Sequence, residues 1–251
     1  MSVSRHTTAS PARPTKLRSF RAAGAQARGR SLTPLLVVPD AVDPTQSFAY
    51  VFLKRILDLT FALLGLILLA PLLLLVAGVL LLTSGRPILF SQVRVGRHGG
   101  RFRLYKFRTL PNGASAEADR EWSVQAPNRL AEFLRCTGLD ELPQLFNVVR
   151  GDMSLVGPRP ERPYFVKQFQ NEQPSYSKRH RLHAGITGWA QVNGWRGNTS
   201  IRRRLEFDLF YLQHWSLAFD LRILGATLTG FVRSIWDFVR SDAGARYARI
   251  A

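Results

Sequence analysis

The 251-residue chain carries 35 Lys and Arg against 17 Asp and Glu, a formal net charge of +18, and its pI is about 11.3. That length leaves room for one catalytic domain with a membrane element and a tail, and the charge calls for a polyanionic partner: nucleic acid, anionic lipid headgroups or a phosphorylated substrate. The lone cysteine, Cys136, excludes an internal disulfide and reads as a small core residue rather than a nucleophile.

Taken in chain order, Met1 to Arg30 holds Arg5, Arg13, Lys16, Arg18, Arg21, Arg28 and Arg30 with no acid and no apolar core. It does not read as a secretory signal, and residues 1–47 are expected to form a disordered basic tail. Such a tail suits an anionic membrane face, at about 1 kcal/mol per basic residue near the surface. Ile56 to Leu82 is then almost wholly apolar, with Asp58 its only charge. A straight helix of that length would reach about 40 Å against a hydrocarbon core of about 30 Å. Pro71 near its middle removes a backbone hydrogen bond and kinks the helix, leaving two halves each too short to span. Lys54 and Arg55 precede it, and Arg86, Arg94, Arg97, Arg101, Arg103, Lys106 and Arg108 follow it. Basic residues are retained on the cytoplasmic side, so both ends are expected there and residues 48–84 to form a re-entrant helix. A kinked spanning helix is the alternative.

Residues 85–251 read as the soluble part. Ile88 to Leu110 alternates apolar and basic residues around His98-Gly99-Gly100, predicting a β-hairpin. Pro111 to Ala126 is polar, a loop or short surface helix. Helices are predicted over Arg129–Arg135, Leu142–Val149, part of Pro163–Arg179, and Arg202–His214. Gly157 to Pro163 is a stiff proline-rich loop, and Gly185 to Gly197 a strand with tight turns. Finally Leu217, Leu221, Leu224, Leu228, Phe231, Ile235 and Phe238 mark one apolar helical face. With Arg222, Arg233, Arg240, Trp215 and Trp236 around it, that face predicts a helix at the membrane interface, with burial in a core as the alternative. The fold class is therefore α+β: a mainly helical domain with a small β-hairpin, a proline-broken membrane helix and interfacial amphipathic helices.

The chemistry concentrates between Leu134 and Pro160. Asp140 precedes an apolar run with Pro143 in its first turn, so its carboxylate is a candidate N-cap. A helix start also favours phosphate, and a carboxylate beside a docked phosphate can attack it to give an acyl phosphate. Glu141 could hold a metal or move a proton. Arg135, five residues before Asp140, could reach the same phosphate, and Arg159 between Pro158 and Pro160 is a pre-ordered cation whose planar fork suits phosphate oxygens. Asp58 is expected to pair with Lys54 or Arg55, and Asp152 to shape a turn with Gly151. Asp208 is a weaker site candidate, better explained by pairing with Arg204 one helical turn away. The histidines show no metal spacing.

Several separate runs carry a resemblance: Lys54-Arg55-Ile56-Leu57-Asp58, Tyr105-Lys106-Phe107-Arg108-Thr109, Leu139-Asp140-Glu141-Leu142-Pro143-Gln144, Gly151-Asp152-Met153-Ser154, Gly157-Pro158-Arg159-Pro160 and Gly185 to Gly194. In that order they resemble the bacterial sugar transferases, the monotopic polyprenyl-phosphate phosphoglycosyl transferases, over about Phe52 to Leu224. The resemblance implies a UDP-sugar donor, a polyprenyl (undecaprenyl) phosphate acceptor and Mg²⁺. It implies Asp140 as the nucleophile that takes the phosphosugar and releases UMP, and Glu141 as the partner for Mg²⁺ and proton handling, with both carboxylates near the metal. Arg135 falls on the substrate phosphate, and Pro158, Arg159 and Pro160 on the nucleotide side. Gln144 and Arg108, inside the matching runs, join them as candidate phosphate or nucleotide contacts. The family's membrane helix breaks at a proline, here Pro71. The chain departs from the pattern at Ala70, where relatives often carry Ser, at Ala184, where many carry Pro, and at Gly138, where Ser is common. The implied location is the bacterial inner membrane, with the site on its cytoplasmic face and anionic lipids as neighbours. The competing readings are a nucleic-acid-binding membrane protein, for which no reader motif is present, and a non-catalytic scaffold, which the intact Asp140-Glu141 pair opposes.

Overall fold

The computed structural model describes residues 48–110, 128–197 and 199–250. The expected basic tail and the whole of Pro111–Ala126 lie outside them. The apolar segment forms two helices, α1 (Phe48–Leu68) and α2 (Ala70–Ser84), bent by 59° at the break. Pro71 sits in the first turn of α2, where its missing N–H costs nothing, so the chain restarts as a helix in a new direction. Among the described residues no single helix is long and apolar enough to cross a membrane; the bent pair taken together is.

The hairpin forms as expected from β1 (Leu89–Val95) and β2 (Arg101–Phe107), antiparallel with Phe90 opposite Lys106 and Arg94 opposite Phe102. Its turn requires positive φ at His98 (53°) and Gly99 (78°). α3 (Arg129–Thr137) starts where Asn128 Oδ1 accepts the Ala131 N–H at 2.8 Å, and stops at left-handed Gly138. A 3₁₀ turn (Leu139–Glu141) leads to α4 (Gln144–Arg150), which Gly151 ends at φ 92°. β3 (Ser154–Val156) and β4 (Gly185–Thr187) pair in parallel. Between them run the proline-rich loop, α5 (Pro163–Glu172) and a 3₁₀ stretch (Pro174–Arg181). α6 (Trp189–Val192), α7 (Ile201–Gln213) and the long α8 (Leu217–Ile250) complete the chain, so part of the glycine-rich segment expected as strand is helical. Helices with two small two-stranded sheets make this an α+β fold.

The main core lies where α1, α4, α7 and the start of α8 meet the strands, around Ala62, Leu104, Val148, Met153, Tyr211 and Ile223. A second joins α2, β2 and α3 through Val76, Leu80, Phe107, Leu134 and Leu139. The apolar pair thus rests on the domain by one side only. Its other side, most of all around the bend, is bare: Ile67 is 69 %, Leu68 75 % and Leu74 73 % exposed.

Both ends of the pair are fastened by polar contacts. Arg55 donates to the Val148 and Val149 carbonyls at 2.6 and 2.9 Å, satisfying the end of α4. Lys54 meets Asp220 of α8 at 2.6 Å and Asp58 at 3.9 Å, and Asp58 accepts the Leu155 N–H at 3.0 Å. At the far end Arg108 donates to the carbonyls of Ser84 (2.5 Å), Gly85 (2.8 Å) and Pro87 (2.5 Å).

α8 corrects the expected apolar stripe. Ile223, off that stripe, is fully buried, with Leu224 and Phe231 half-buried beside it. Leu221 and Leu228 instead join Val232, Trp236 and Val239 on an exposed apolar face. The helix leans on the domain by one edge of the stripe and leaves the rest of it exposed, so the alternative of burying the whole face in a core does not hold. Cys136 is likewise exposed rather than in the core. Its thiol is pushed up by partial burial and by Glu132, which lowers its thiolate fraction.

Candidate active site

Three elements converge on the 3₁₀ turn Leu139–Glu141. α3 brings Arg135 in its last turn, β2 brings Lys106, and the loop after β3 brings Arg159. The turn exists because left-handed Gly138 ends α3 and α4 does not begin until Gln144, with Pro143 ahead of it and no side-chain cap. Asp140 is therefore not the N-cap expected of it. It lies in the turn before the helix, 4 % exposed, its carboxylate turned into the cluster of cations.

Glu141 is gripped by Arg159, Nη2 to Oε1 at 2.5 Å and Nη1 to Oε2 at 3.1 Å, a two-pronged charge-assisted pair. Burial pushes the Glu141 carboxyl up, but the charge and hydrogen bonds of Arg159 outweigh it, with Lys106 and Arg196 adding, and hold it at about 2. Asp140 goes the other way. Burial first, and the Glu141 charge second, raise it to about 6 against the pull of Lys106, Arg159 and Arg135. Two neighbouring carboxylates are thus split: one stays ionised at all ordinary pH, the other is a basic, desolvated anion. Lys106 is drawn down by burial and back up by Asp140 and Glu141; its ammonium lies over the Phe90 ring at 5.3 Å. Arg135 Nε donates to Thr109 Oγ1 at 2.8 Å, and Asp140 opposes the lowering that burial imposes on the guanidinium.

Of the residues the sequence singles out, Asp140, Glu141, Arg135 and Arg159 come together. Pro158 and Pro160 flank Arg159, and Gln144 is buried at the start of α4. Arg108 is directed to the end of α2, as described above. Asp208 pairs not with Arg204 but with Arg179, at 2.7 Å and almost without solvent, while Arg204 meets Glu161 at 2.6 Å. The buried face of α7 turns both residues toward partners distant in the chain. Lys106 is the site residue that sequence reasoning passed over, and its place in the alternation of β2 was the available signal.

No group of three or more His, Cys, Asp or Glu gathers as a metal cage among the described residues. Mg²⁺ needs none when one or two carboxylates and substrate phosphates complete its shell, and the Asp140–Glu141 pair fits that mode. An open groove of about 470 Å³ runs between the hairpin and α5, lined by Phe90, Val93, Arg101, Arg103, Arg162 and Tyr164 among others.

A sequence profile described as bacterial sugar transferase matches residues 49–234, a stretch that holds the bent helices and every residue of this cluster. The chain belongs to the bacterial sugar transferase family. Among its relatives, the UDP-glucose:undecaprenyl-phosphate glucose-1-phosphate transferase of Klebsiella pneumoniae is 38% identical over 218 residues, covering 82% of this chain and 46% of the relative. The UDP-N-acetylgalactosamine-undecaprenyl-phosphate N-acetylgalactosaminephosphotransferase of Aeromonas hydrophila is 41% identical over 193 residues, covering 72% and 45%. The glucose-1-phosphate transferase of Caulobacter vibrioides, acting by its name on the same pair as the Klebsiella protein, is 42% identical over 185 residues, covering 70% and 68%. The chain spans less than half the length of the first two.

Proposed function

We propose that this chain is an enzyme that moves a sugar-1-phosphate from a UDP-sugar to undecaprenyl phosphate and releases UMP, an early membrane step in making exopolysaccharide or a related glycan. What carries this reading is the split carboxylate pair: a buried, basic Asp140 beside a Glu141 that Arg159 keeps ionised, with Lys106 and Arg135 facing them. The family membership and the relatives' names support it.

An ionised Asp140 oxygen attacks the sugar-bearing phosphorus of the diphosphate. The bond from that phosphorus to the bridging oxygen breaks, and UMP departs with the electron pair. The phosphate oxygen of the polyprenyl carrier then attacks the same phosphorus, breaking the Asp140–phosphorus bond and restoring the carboxylate. Arg159, Lys106 and Arg135 offset the charge that gathers on the phosphoryl oxygens. Bound Mg²⁺ would neutralise diphosphate charge, with Asp140 and Glu141 as its protein ligands.

Asp140 must lose its proton to attack. With its carboxyl at about 6, kcat/KM is expected to rise with pH through about 6 and level off above it. One unit below that value it should stand at roughly a tenth of the plateau. A profile flat between pH 5 and 8 would count against Asp140 as the attacking group.

The basic groove offers charge complementarity to the nucleotide half of the donor. Reversing Arg101 and Arg103 to Glu together should raise the donor KM several-fold at low salt, with a smaller change at high salt, while kcat moves little. Equal KM values for the double variant and the native protein at low salt would remove the groove from donor binding.

The membrane element is read as re-entrant. Both of its ends are tied to one domain, through Lys54, Arg55 and Asp58 at the start and Arg108 at the end, whereas a span would part them by about 30 Å. The bare apolar bend enters the lipid. The exposed face of α8, with the Arg240 guanidinium 4.5 Å over the Trp236 ring, lies along the anionic surface of the cytoplasmic leaflet. Anionic lipid and phosphate substrates account for the net charge of +18 without nucleic acid. The deciding assay is UMP release from a panel of UDP-sugars, beginning with glucose and N-acetylgalactosamine, mixed with undecaprenyl phosphate and Mg²⁺. No release with any donor would overturn the reading.

A further inference from the structure

We propose that Arg179, held by Asp208, is a positioning residue for Arg159; the inference rests on Arg159 serving the reaction proposed above. The loop that carries Arg159 is fixed at four successive carbonyls, by donors from β1, β4 and the 3₁₀ stretch Pro174–Arg181. Pro158 O accepts the Gly185 N–H at 3.0 Å and Glu161 O the Val95 N–H at 2.9 Å. Pro160 O accepts Arg94 Nη1 at 3.1 Å, and Arg159 O accepts Arg179 Nη2 at 2.9 Å. Pro158 and Pro160 lock their own φ, but the peptide plane between Arg159 and Pro160 also needs the ψ of Arg159 to be set. The Arg179 bond falls on the carbonyl of that plane.

Arg179 is itself immobilised. Its Nε donates to Asp208 Oδ2 at 2.9 Å, its Nη1 to the Tyr176 hydroxyl at 2.8 Å, and its side chain is 1 % exposed. Asp208, at 2 %, is equally buried. An apolar pair of similar volume commonly supports a fold as well as a buried ion pair does. What an apolar pair cannot do is donate to the Arg159 carbonyl. The guanidinium of Arg159 then reaches Glu141 as a fork, and a displacement of about 1 Å at such a group can cost about 10²-fold in rate.

The test uses the full chain in membranes and reads UMP release. Arg179→Lys keeps a charge opposite Asp208 but loses the fork. It is expected to lower kcat by about 10- to 100-fold, with the donor KM within about threefold and thermal unfolding little changed. Arg159→Ala should then cost much less in the Arg179→Lys background than in the native one, because both changes act through the same guanidinium. A folded Arg179→Lys enzyme with kcat within twofold of native, or an undiminished effect of Arg159→Ala, would overturn the inference. If Arg179→Lys does not fold, Arg179→Met combined with Asp208→Leu removes both charges and is read by the same outcomes. Turnover by the native chain tests the function itself, and the variant-to-native ratio tests Arg179, so the two failures are told apart.

Discussion

Asp140→Asn is expected to leave a folded protein with turnover reduced by about 10⁴-fold or more, the scale lost when an attacking group is removed from an enzyme. The change is nearly isosteric and removes the buried negative charge, so folding should not suffer; burial already disfavours that charge. What disappears is the anionic oxygen proposed to bond to phosphorus. Mass spectrometry of native protein given UDP-sugar without acceptor should find a phosphosugar on a peptide containing Asp140, and the Asn variant should carry none. Partial reactions separate this from a binding defect. The native enzyme should exchange labelled UMP into UDP-sugar with no lipid present, as two-step transfer requires, and the variant should not. Near-native UMP release by Asp140→Asn would assign the attack to another group.

The second large effect is on stability. Asp220 accepts from Lys54 at 2.6 Å and from the Tyr211 hydroxyl at 2.7 Å, at the junction of α1, α7 and α8. Asp220→Ala leaves the half-buried Lys54 ammonium with Asp58 alone, at 3.9 Å, and the Tyr211 hydroxyl with the Val156 carbonyl alone, at 3.2 Å, which costs about 3 kcal/mol. For a chain of this size that corresponds to a fall of about 10 °C in Tm. Lys54→Met with Asp220→Leu, removing both charges, should recover much of the loss. Unfolding followed in detergent or nanodiscs would show it. An Asp220→Ala protein as stable as the native one would mean that Lys54 finds another acceptor or water.

What could be read from the chain was local. Pro71 in an apolar run announces a break because proline's chemistry is the same in any context. The hairpin is visible because alternation and a glycine turn are both short-range. Asp140-Glu141 stands out because adjacent acids between two helical patterns are uncommon in so basic a chain. The unreadable parts depended on which way a side chain turns once distant segments meet. Lys106 and Arg108 sit two apart on one run, yet the first faces the carboxylates and the second closes the end of α2. Asp208 has an arginine one turn away and takes one from 29 positions earlier. The exposed face of α8 follows from which edge the core covers, a tertiary fact that a seven-residue pattern does not contain.

In the proposed two-step transfer, the split of the two carboxyls would carry a cost on the second step. A carboxylate whose proton affinity has been raised to about 6 is a better electron donor than a solvated one, which favours capture of the phosphosugar. By the same Brønsted logic it is harder to expel when the lipid phosphate arrives. The acyl phosphate would be slow to break if the aspartate met an apolar wall alone. Ringed by Lys106, Arg135 and Arg159, the oxygen that would depart regains part of what burial takes away, which would keep the second displacement within reach.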